Sequence, residues 1–181
     1  MKLVDNIEIL PYDIAYEQEL DMVKRLYEGS FPLEERRDWK KFLHLLDTEP
    51  RFRLLLIQKN SLTIGFLSSW HFETFIYGEH FAIAPQERGS GIGRKLIAYL
   101  WNLPRREPWV FEVEHPNTDI ATRRLNFYLS LGAEVLDKEY LQPPYHEGQD
   151  TFPLYFMGTG ADPSQTKFYI DNVRRVVYGK A

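Results

Sequence analysis

The sequence predicts a mixed α/β fold in which helices flank a mostly antiparallel sheet. Along its 181 residues the apolar patterns follow the order β-α-α-β-β-β-α-β-α-β-β-α. The first strands are close enough in sequence to pair in antiparallel fashion. The later strand–helix–strand–helix units imply one parallel pair, because parallel neighbours need a long crossover connection.

The N-terminal half supplies most of the antiparallel strands. An apolar face that begins at Leu20 and includes Tyr27 predicts a first helix, which ends near Gly29. Residues 59–61 are typical of a hairpin turn, and the charged run 34–38 is interpreted as a solvated helix face. The predicted elements are a strand over 3–10, helices over 20–29 and 34–46, and strands over 51–58, 62–70 and 74–83.

The C-terminal half carries the crossover units and a final helix. Gly132 is well placed to end the helix before it, since glycine readily adopts the left-handed conformation that follows helix ends. Asp162, Pro163 and Gln165 are typical of an N-cap, a first-turn proline and a capping-box partner. The predicted elements are a helix over 91–101, a strand over 109–115, a helix over 118–131, strands over 135–141 and 152–157, and a last helix from Asp162.

Three glycines, Gly89, Gly91 and Gly93, lie between an apolar strand and a predicted helix. Without a Cβ, the N–H groups of such a turn can approach an anion closely, and the helix N-terminus adds further unpaired N–H groups. The pattern therefore predicts a phosphate or pyrophosphate site. It is not a P-loop, because no Lys-Ser/Thr pair follows, and it lacks the third glycine of a dinucleotide fingerprint. The alternative is a turn that only lets the helix pack closely on the sheet.

Composition narrows the function classes. A formal net charge of −4 argues against a nucleic-acid partner. The absence of cysteine excludes disulfides, zinc–thiolate sites and a cysteine nucleophile. His80 and His115 show no spacing typical of metal ligands. No apolar run approaches the roughly 20 residues of a membrane span, and no signal peptide is visible, so we expect a soluble, cytoplasmic protein without a membrane partner.

Three matches in register resemble the GNAT superfamily of acetyl-CoA-dependent N-acetyltransferases over roughly residues 5–158. The first is Gln86-x-x-Gly89-x-Gly91 after an apolar strand. The second is the strand over 109–115, and the third is Tyr128, four residues before Gly132. The resemblance implies the GNAT fold, with a central mixed, mostly antiparallel sheet and a splayed parallel strand pair.

The resemblance also implies the cosubstrate, acetyl-CoA; the absence of metal-ligand spacing leads us to expect no metal. In the family the loop amides bind the pyrophosphate, and the strand before the loop pairs with the pantetheine arm. The family often carries an asparagine seven residues before the tyrosine, and this position is Ala121 here. Asn117 is therefore the candidate for the contact with the pantetheine arm. Ala133 stands where the family commonly has a phenylalanine. The predicted acetyl-CoA-binding residues are Phe81, Ile83, Gln86, Glu87, Arg88, Gly89, Ser90, Gly91, Ile92, Gly93, Arg94 and Asn117.

Acetyl transfer to an amine defines the catalytic candidates. The resemblance implies that Tyr128 is the general acid that protonates the departing thiolate. An alkylammonium has a pKa near 10.4, so a base must remove a proton before the amine attacks. Glu79, on the strand before the loop, and Glu114 are the first candidates for this base, and Glu112 and His115 remain open.

The acceptor is expected to be the amine of a small molecule or peptide, which the motifs do not identify. In the family the segment between the first two helices covers the acceptor, and the predicted acceptor-binding residues are Phe31, Tyr145 and Glu112. We expect one domain over 1–160 and a C-terminal helix over 161–181 that packs on it or at a subunit interface, in a monomer or homodimer. The alternatives are a CoA-binding sensor or scaffold without turnover, and a phosphate-binding module unrelated to CoA.

Overall fold

The computed structural model describes residues 2–4, 6–104 and 107–180, with side chains from Asn6 onward except at 14–16. Among these residues there are nine strands and five α-helices. The strands are β1 (Lys2–Val4), β2 (Ile7–Pro11), β3 (Phe52–Lys59), β4 (Leu62–His71), β5 (Ile76–Ile83), β6 (Trp109–Glu114), β7 (Glu134–Asp137), β8 (Leu141–Gln142) and β9 (Phe152–Thr159). The helices are α1 (Leu20–Ser30), α2 (Trp39–Thr48), α3 (Ile92–Trp101), α4 (Asp119–Leu129) and α5 (Thr166–Val177).

The chain divides into two compact units. The first comprises Met1–His71 and Glu79–Leu100, and the second comprises Phe72–Gly78 and Trp101–Ala181. The strand β5 therefore contributes its last five residues to the first unit and its first three to the second. None of the helices described in the structure combines the length and the apolar character needed to span a membrane.

The first unit is built on an antiparallel sheet. Strands β2, β3 and β4 pair in sequence order, with Ile9 opposite Ile57. The predicted hairpin between β3 and β4 is confirmed: Asn60 and Ser61 have φ angles of 50° and 64°, the left-handed values that tight hairpin turns require. Large apolar side chains fill the core of this unit, among them the fully buried Phe42, Leu56, Phe66 and Leu96.

Two predictions for this unit are wrong in detail. The expected single strand over 3–10 is two strands, β1 and β2, which pair antiparallel; Asn6 lies between them with a φ of 63°. The helix predicted over 34–46 is a short 3-10 turn, Leu33–Glu35, followed by α2 from Trp39. Arg36 between them is extended, with φ −146° and ψ 154°, because side-chain contacts of this segment, described below, replace helical hydrogen bonds.

Gly65 in β4 offers a test of packing in the first unit. A Cβ at this position would lie 2.7 Å from the carbonyl oxygen of Ala82 and 2.7 Å from Cδ1 of Ile83. We expect Gly65→Ala to lower the free energy of unfolding by about 2 kcal/mol in a urea titration, since overpacking typically costs this much. Gly29→Ala in α1 is the control, because nothing lies within 4 Å of the added Cβ. Equal effects of the two changes would contradict this prediction.

The second unit contains the parallel pair. Ile76, Tyr77 and Gly78 of β5 pair with Trp109, Val110 and Phe111 of β6. The strand β9 is antiparallel to β6 and also pairs with β7 and β8. The mixed α/β class, with a mostly antiparallel sheet and one parallel pair, is thus confirmed.

Helices α4 and α5 cover the strands of the second unit. The side chain of Thr118 caps α4 by accepting a hydrogen bond from the Ala121 amide, and Gly132, at φ 92°, follows its end as predicted. Asp162 caps the 3-10 turn before α5, whereas Gln165 makes no capping contact. The ring of Tyr169 in α5 lies 5.2 Å from that of Phe75, so the C-terminal helix packs on its own unit. A subunit interface at this helix stays a prediction.

Candidate active site

The glycine turn lies in the first unit, immediately before α3. Gly89 and Gly91 have φ angles of 78° and 80°, a left-handed backbone that side-chain-bearing residues rarely adopt, and nothing lies within 4 Å of a Cβ added to either. Within the described residues, the N–H groups of Gly89, Ser90 and Gly91 have no hydrogen-bond partner. The turn therefore presents consecutive open N–H groups next to the positive end of a helix dipole, an arrangement suited to an anion.

Side chains of the turn stabilise its conformation through contacts with neighbouring segments. The Arg88 guanidinium donates hydrogen bonds to the Ile83 carbonyl at 2.8 Å and to Ser30 Oγ at 3.3 Å. Glu87 forms an ion pair with Lys59 at 2.7 Å, and the Ser90 hydroxyl donates to the Glu87 carbonyl at 2.6 Å. Arg88 and Glu87 are thus occupied in holding the loop on its strand.

The remaining predicted acetyl-CoA-binding residues of this unit flank the turn. Ile83 and Ile92 are buried and anchor the end of β5 and the start of α3. Gly93 allows close approach, since a Cβ there would lie 3.4 Å from Cζ of Phe81. Gln86 and Arg94 are exposed on the same stretch.

Tyr128, the predicted general acid, lies in α4 of the second unit. Its ring packs against Phe111 at a centroid distance of 4.6 Å, beside a buried cluster that includes Leu125 and Met157. Its hydroxyl has no hydrogen-bond partner within the described residues. Burial raises the pKa of Tyr128 to about 12, with Arg124 opposing and Glu114 reinforcing the rise. The phenol therefore keeps its proton throughout the range in which enzymes are assayed.

Glu114 and its neighbours follow at the end of β6. Its carboxylate is bound by the Arg124 guanidinium, and the side chains are 28% and 40% exposed. Asn117 is exposed on the loop that follows. The ring of His115 stacks near Tyr155, with centroids 4.4 Å apart, and its buried Nε2 has no partner in the part of the chain that the structure describes. Arg124 was missed in the sequence, where nothing distinguishes it from Arg123.

Glu79, the other candidate base, is inaccessible. Its side chain is 0% exposed and lies 2.5 Å from the Arg37 guanidinium. Burial alone would raise the pKa of Glu79, but Arg37 and then His80 outweigh it and lower the pKa to about 2. The interpretation of 34–38 as a solvated helix face is wrong for Arg37, which is only 5% exposed. These contacts argue against proton uptake by Glu79.

Glu112 is the centre of a hydrogen-bond network in the second unit. Its Oε1 accepts from the Tyr140 hydroxyl at 2.5 Å, and its Oε2 accepts from Gln142 at 2.6 Å and from the Tyr178 hydroxyl at 2.9 Å. Tyr145 reaches the same network, with its hydroxyl 3.4 Å from that of Tyr178. The network joins β6, the connection to β8 and the end of α5, and Tyr178 was not among the predicted site residues.

The Glu112 network predicts a pH dependence of stability. Loss of water contact raises the pKa of Glu112, although the hydroxyl and amide donors partly offset the rise. A carboxyl group with a raised folded-state pKa stabilises fully below its ordinary pKa of 4.5 and loses this contribution as the pH rises through the folded value. The stability advantage of the wild type over Glu112→Gln should therefore shrink with rising pH in urea titrations. An advantage that is constant or grows would contradict the prediction.

Phe31 and Tyr145, the other predicted acceptor-binding residues, lie in different units. The Phe31 ring lies 4.7 Å from the His80 ring in the first unit. The Tyr145 ring lies 5.0 Å from that of Tyr178 in the second. Among the described residues, no group of three or more acidic, histidine or cysteine side chains could hold a metal ion.

Comparison with known proteins shows which family the chain resembles. The family model described as an acetyltransferase (GNAT) domain matches residues 50–132. A protein of known structure from Bacteroides thetaiotaomicron that is assigned to the GNAT family is 34% identical; the alignment covers 96% of this chain and 99% of that one, with a TM-score of 0.87. None of the curated proteins matches the sequence significantly.

Two further structures show the same fold with ligands. Naa50 of Arabidopsis thaliana, solved with the bisubstrate analogue CoA-Ac-MVNAL, is 17% identical, and the alignment covers 85% of this chain and 98% of that one with a TM-score of 0.60. The protein yncA of Salmonella typhimurium, solved with acetyl-CoA, is 20% identical over 87% and 95% of the chains with a TM-score of 0.58.

The fold is that of the GNAT acyltransferases. The match over nearly the whole chain to the Bacteroides protein shows the family as well. The chain belongs to the GNAT family of acetyltransferases.

Proposed function

We propose that the protein transfers the acetyl group of acetyl-CoA directly to an amine, as an N-acetyltransferase. The observation that carries the proposal is the glycine turn, whose open N–H groups at Gly89, Ser90 and Gly91 precede α3. Three consecutive donors at a helix N-terminus suit the pyrophosphate of CoA. The acetyl-CoA and CoA-analogue ligands of the similar structures support this assignment.

Acetyl transfer is a single displacement in this proposal. The neutral amine nitrogen attacks the thioester carbonyl carbon, the new C–N bond forms and the C–S bond breaks. Tyr128 gives its proton to the departing CoA sulfur. With a pKa of about 12, the Tyr128 hydroxyl keeps its proton until the C–S bond breaks and negative charge develops on the sulfur. No cysteine is present to form an acetyl-enzyme.

Glu114 is the better of the two predicted bases. Its side chain is 28% exposed and can exchange a proton with an amine through water, whereas the Glu79 side chain is 0% exposed and ion-paired. The Arg124 guanidinium binds both oxygens of the Glu114 carboxylate and so holds it in one orientation at the end of β6. Asn117 remains the proposed contact to the pantetheine arm, and Phe31, Tyr145 and Glu112 remain the proposed acceptor side.

Thermal unfolding with four ligands tests the cosubstrate. Acetyl-CoA, CoA, ATP and NAD are each added at a hundredfold excess over the dissociation constant expected for acetyl-CoA. Binding to the native state alone stabilises by about 2.7 kcal/mol at this excess, which raises the Tm by several degrees. A shift with the two CoA ligands only is expected. An equal shift with all four, or none with the CoA ligands, would refute the proposal.

Turnover is tested next. The release of CoA thiol from acetyl-CoA is measured with a panel of primary amines that includes polyamines, amino acids and short peptides. Amine-dependent release above hydrolysis is expected. Binding of acetyl-CoA with no release for any amine would favour a sensor or scaffold over an enzyme.

A further inference from the structure

The segment between α1 and α2, residues 31–38, has an irregular shape. It contains only a 3-10 turn, Leu33–Glu35, between the extended residues Phe31 and Arg36. A segment with so few backbone hydrogen bonds of its own depends on side chains to keep one conformation. The first unit supplies such side chains from α1, β4 and β5.

Arg37 is the first anchor of this segment. Its guanidinium lies 2.5 Å from Glu79 Oε1 in β5, with side-chain exposures of 6% and 0%. The guanidinium also lies 5.6 Å from the centre of the Trp70 ring. The Tyr27 hydroxyl fixes the backbone at the same point, because it accepts from the Arg37 N–H at 2.9 Å and donates to the Arg37 carbonyl at 3.2 Å.

His80 is the second anchor. Its Nε2 donates to the Glu35 carbonyl at 2.9 Å, since a carbonyl oxygen can only accept. Its Nδ1 lies 3.5 Å from Glu79 Oε2 and 3.4 Å from Ser68 Oγ. Its ring lies 4.7 Å from that of Phe31 at an interplanar angle of 78°, and Phe31 is one of the residues proposed to face the acceptor. The imidazole, 2% exposed, thus connects two points of the segment to β5.

We infer that Arg37, Glu79 and His80 are positioning residues that hold segment 31–38, and Phe31 within it, in the shape that binds the acceptor amine. This inference rests on the proposed function, which gives the segment its acceptor. It assigns Glu79 to the support of the segment and not to proton transfer.

The charges of this cluster fit a support better than a base. A buried carboxylate with a pKa of about 2 holds its negative charge firmly and has little tendency to take a proton from an amine. The partner charge, Arg37, comes from the segment itself, so the ion pair joins the segment to the strand. The side chains of Arg37 and Glu79 are buried away from water, and the low local dielectric strengthens the attraction between their charges.

Steady-state kinetics with the amine found in the panel tests the inference. Glu79→Gln and Arg37→Met are each expected to raise KM for the amine about tenfold, with kcat within about threefold of the wild type. Glu49→Gln is the matched control: Glu49 also pairs with an arginine, Arg51, at 2.7 Å, but away from the segment. It is expected to change neither constant, and all variants should keep the wild-type KM for acetyl-CoA.

The outcomes separate a positioning role from a catalytic one. A hundredfold loss of kcat in Glu79→Gln, with an unchanged KM for the amine, would overturn the inference, because a missing base has this effect. An unchanged KM for the amine in both variants would overturn it as well. Rescue of KM in Arg37→Lys, which keeps the positive charge, would support it.

A second readout needs no activity. Hydrogen exchange of the amides in 31–38 should be faster in Glu79→Gln than in the wild type and unchanged in Glu49→Gln. If Glu79→Gln does not fold, His80→Gln and Tyr27→Phe remove anchors without leaving a buried charge, and they should show the same acceleration. Unchanged exchange would overturn the inference. Failure of the proposed function appears separately, as a wild type that binds no acetyl-CoA.

Discussion

Replacing Tyr128 by phenylalanine is expected to lower kcat about a hundredfold while leaving KM for acetyl-CoA near its wild-type value. General acid catalysis typically contributes about 10²–10⁴-fold, and phenylalanine keeps the ring contact with Phe111 while removing the proton donor. The hydroxyl has no hydrogen-bond partner in the described part of the chain, so its loss leaves no partner unsatisfied. Fold and stability should therefore be nearly unchanged.

Tyr155→Phe is the control for this experiment. Tyr155 packs against the same buried cluster as Tyr128 but has no assigned part in the reaction, so removing its hydroxyl should leave kcat within about twofold. Equal rates for wild type and Tyr128→Phe would refute the catalytic role.

The pH–rate profile gives an independent check on Tyr128. The acid form exists below the raised pKa of about 12, while the amine must be deprotonated to attack. The wild-type rate should thus rise with pH as the amine loses its proton and should not fall again up to pH 10. A descending limb near the ordinary tyrosine pKa of 10.0 would contradict the environment described for this side chain.

Gly91→Glu is expected to weaken acetyl-CoA binding about a hundredfold. A side chain at φ 80° costs about 1–2 kcal/mol, which the turn relieves by leaving the conformation that presents its N–H groups. The carboxylate also opposes the pyrophosphate by about 1 kcal/mol at 4 Å in water. Together these costs correspond to an increase of about a hundredfold in the dissociation constant for acetyl-CoA. Isothermal titration calorimetry measures this constant.

Gly148→Glu is a closely matched control. Gly148 has a φ of 83° and nothing within 4 Å of an added Cβ, as at Gly91, but it lies outside the loop. Its substitution should carry a similar backbone strain and leave the acetyl-CoA dissociation constant unchanged. Similar weakening in both variants would mean that strain or net charge, not the loop, explains the effect.

Local chemistry explains what could be predicted from the sequence. The glycine turn, the asparagine hairpin at Asn60 and the helix end at Gly132 depend on backbone angles that few residue types adopt, so the residue type itself carries the signal. Periodic apolar residues likewise predicted the approximate positions of seven of the nine described strands. The short strands β1 and β8 were not predicted as separate strands.

Long-range contacts explain what could not be predicted. Arg37 lies in a run of charges that is typical of an exposed helix. In the structure its guanidinium instead binds Glu79, which is 42 residues away, and the side chain is buried where that helix was predicted. In the same way, the Glu112 carboxylate accepts a hydrogen bond from the hydroxyl of Tyr178, which is 66 residues away.

The sequence by itself determined the family and the glycine turn, and it singled out Tyr128 as the candidate acid, because each of these depends on a short motif. Only the tertiary structure decided which carboxylates are accessible: Glu114 reaches solvent, Glu79 is sealed against Arg37, and Glu112 is surrounded by hydroxyl groups. The physical reason is that the pKa and reach of a carboxyl group depend on water and on charges brought near it by folding, and no spacing along the chain records them.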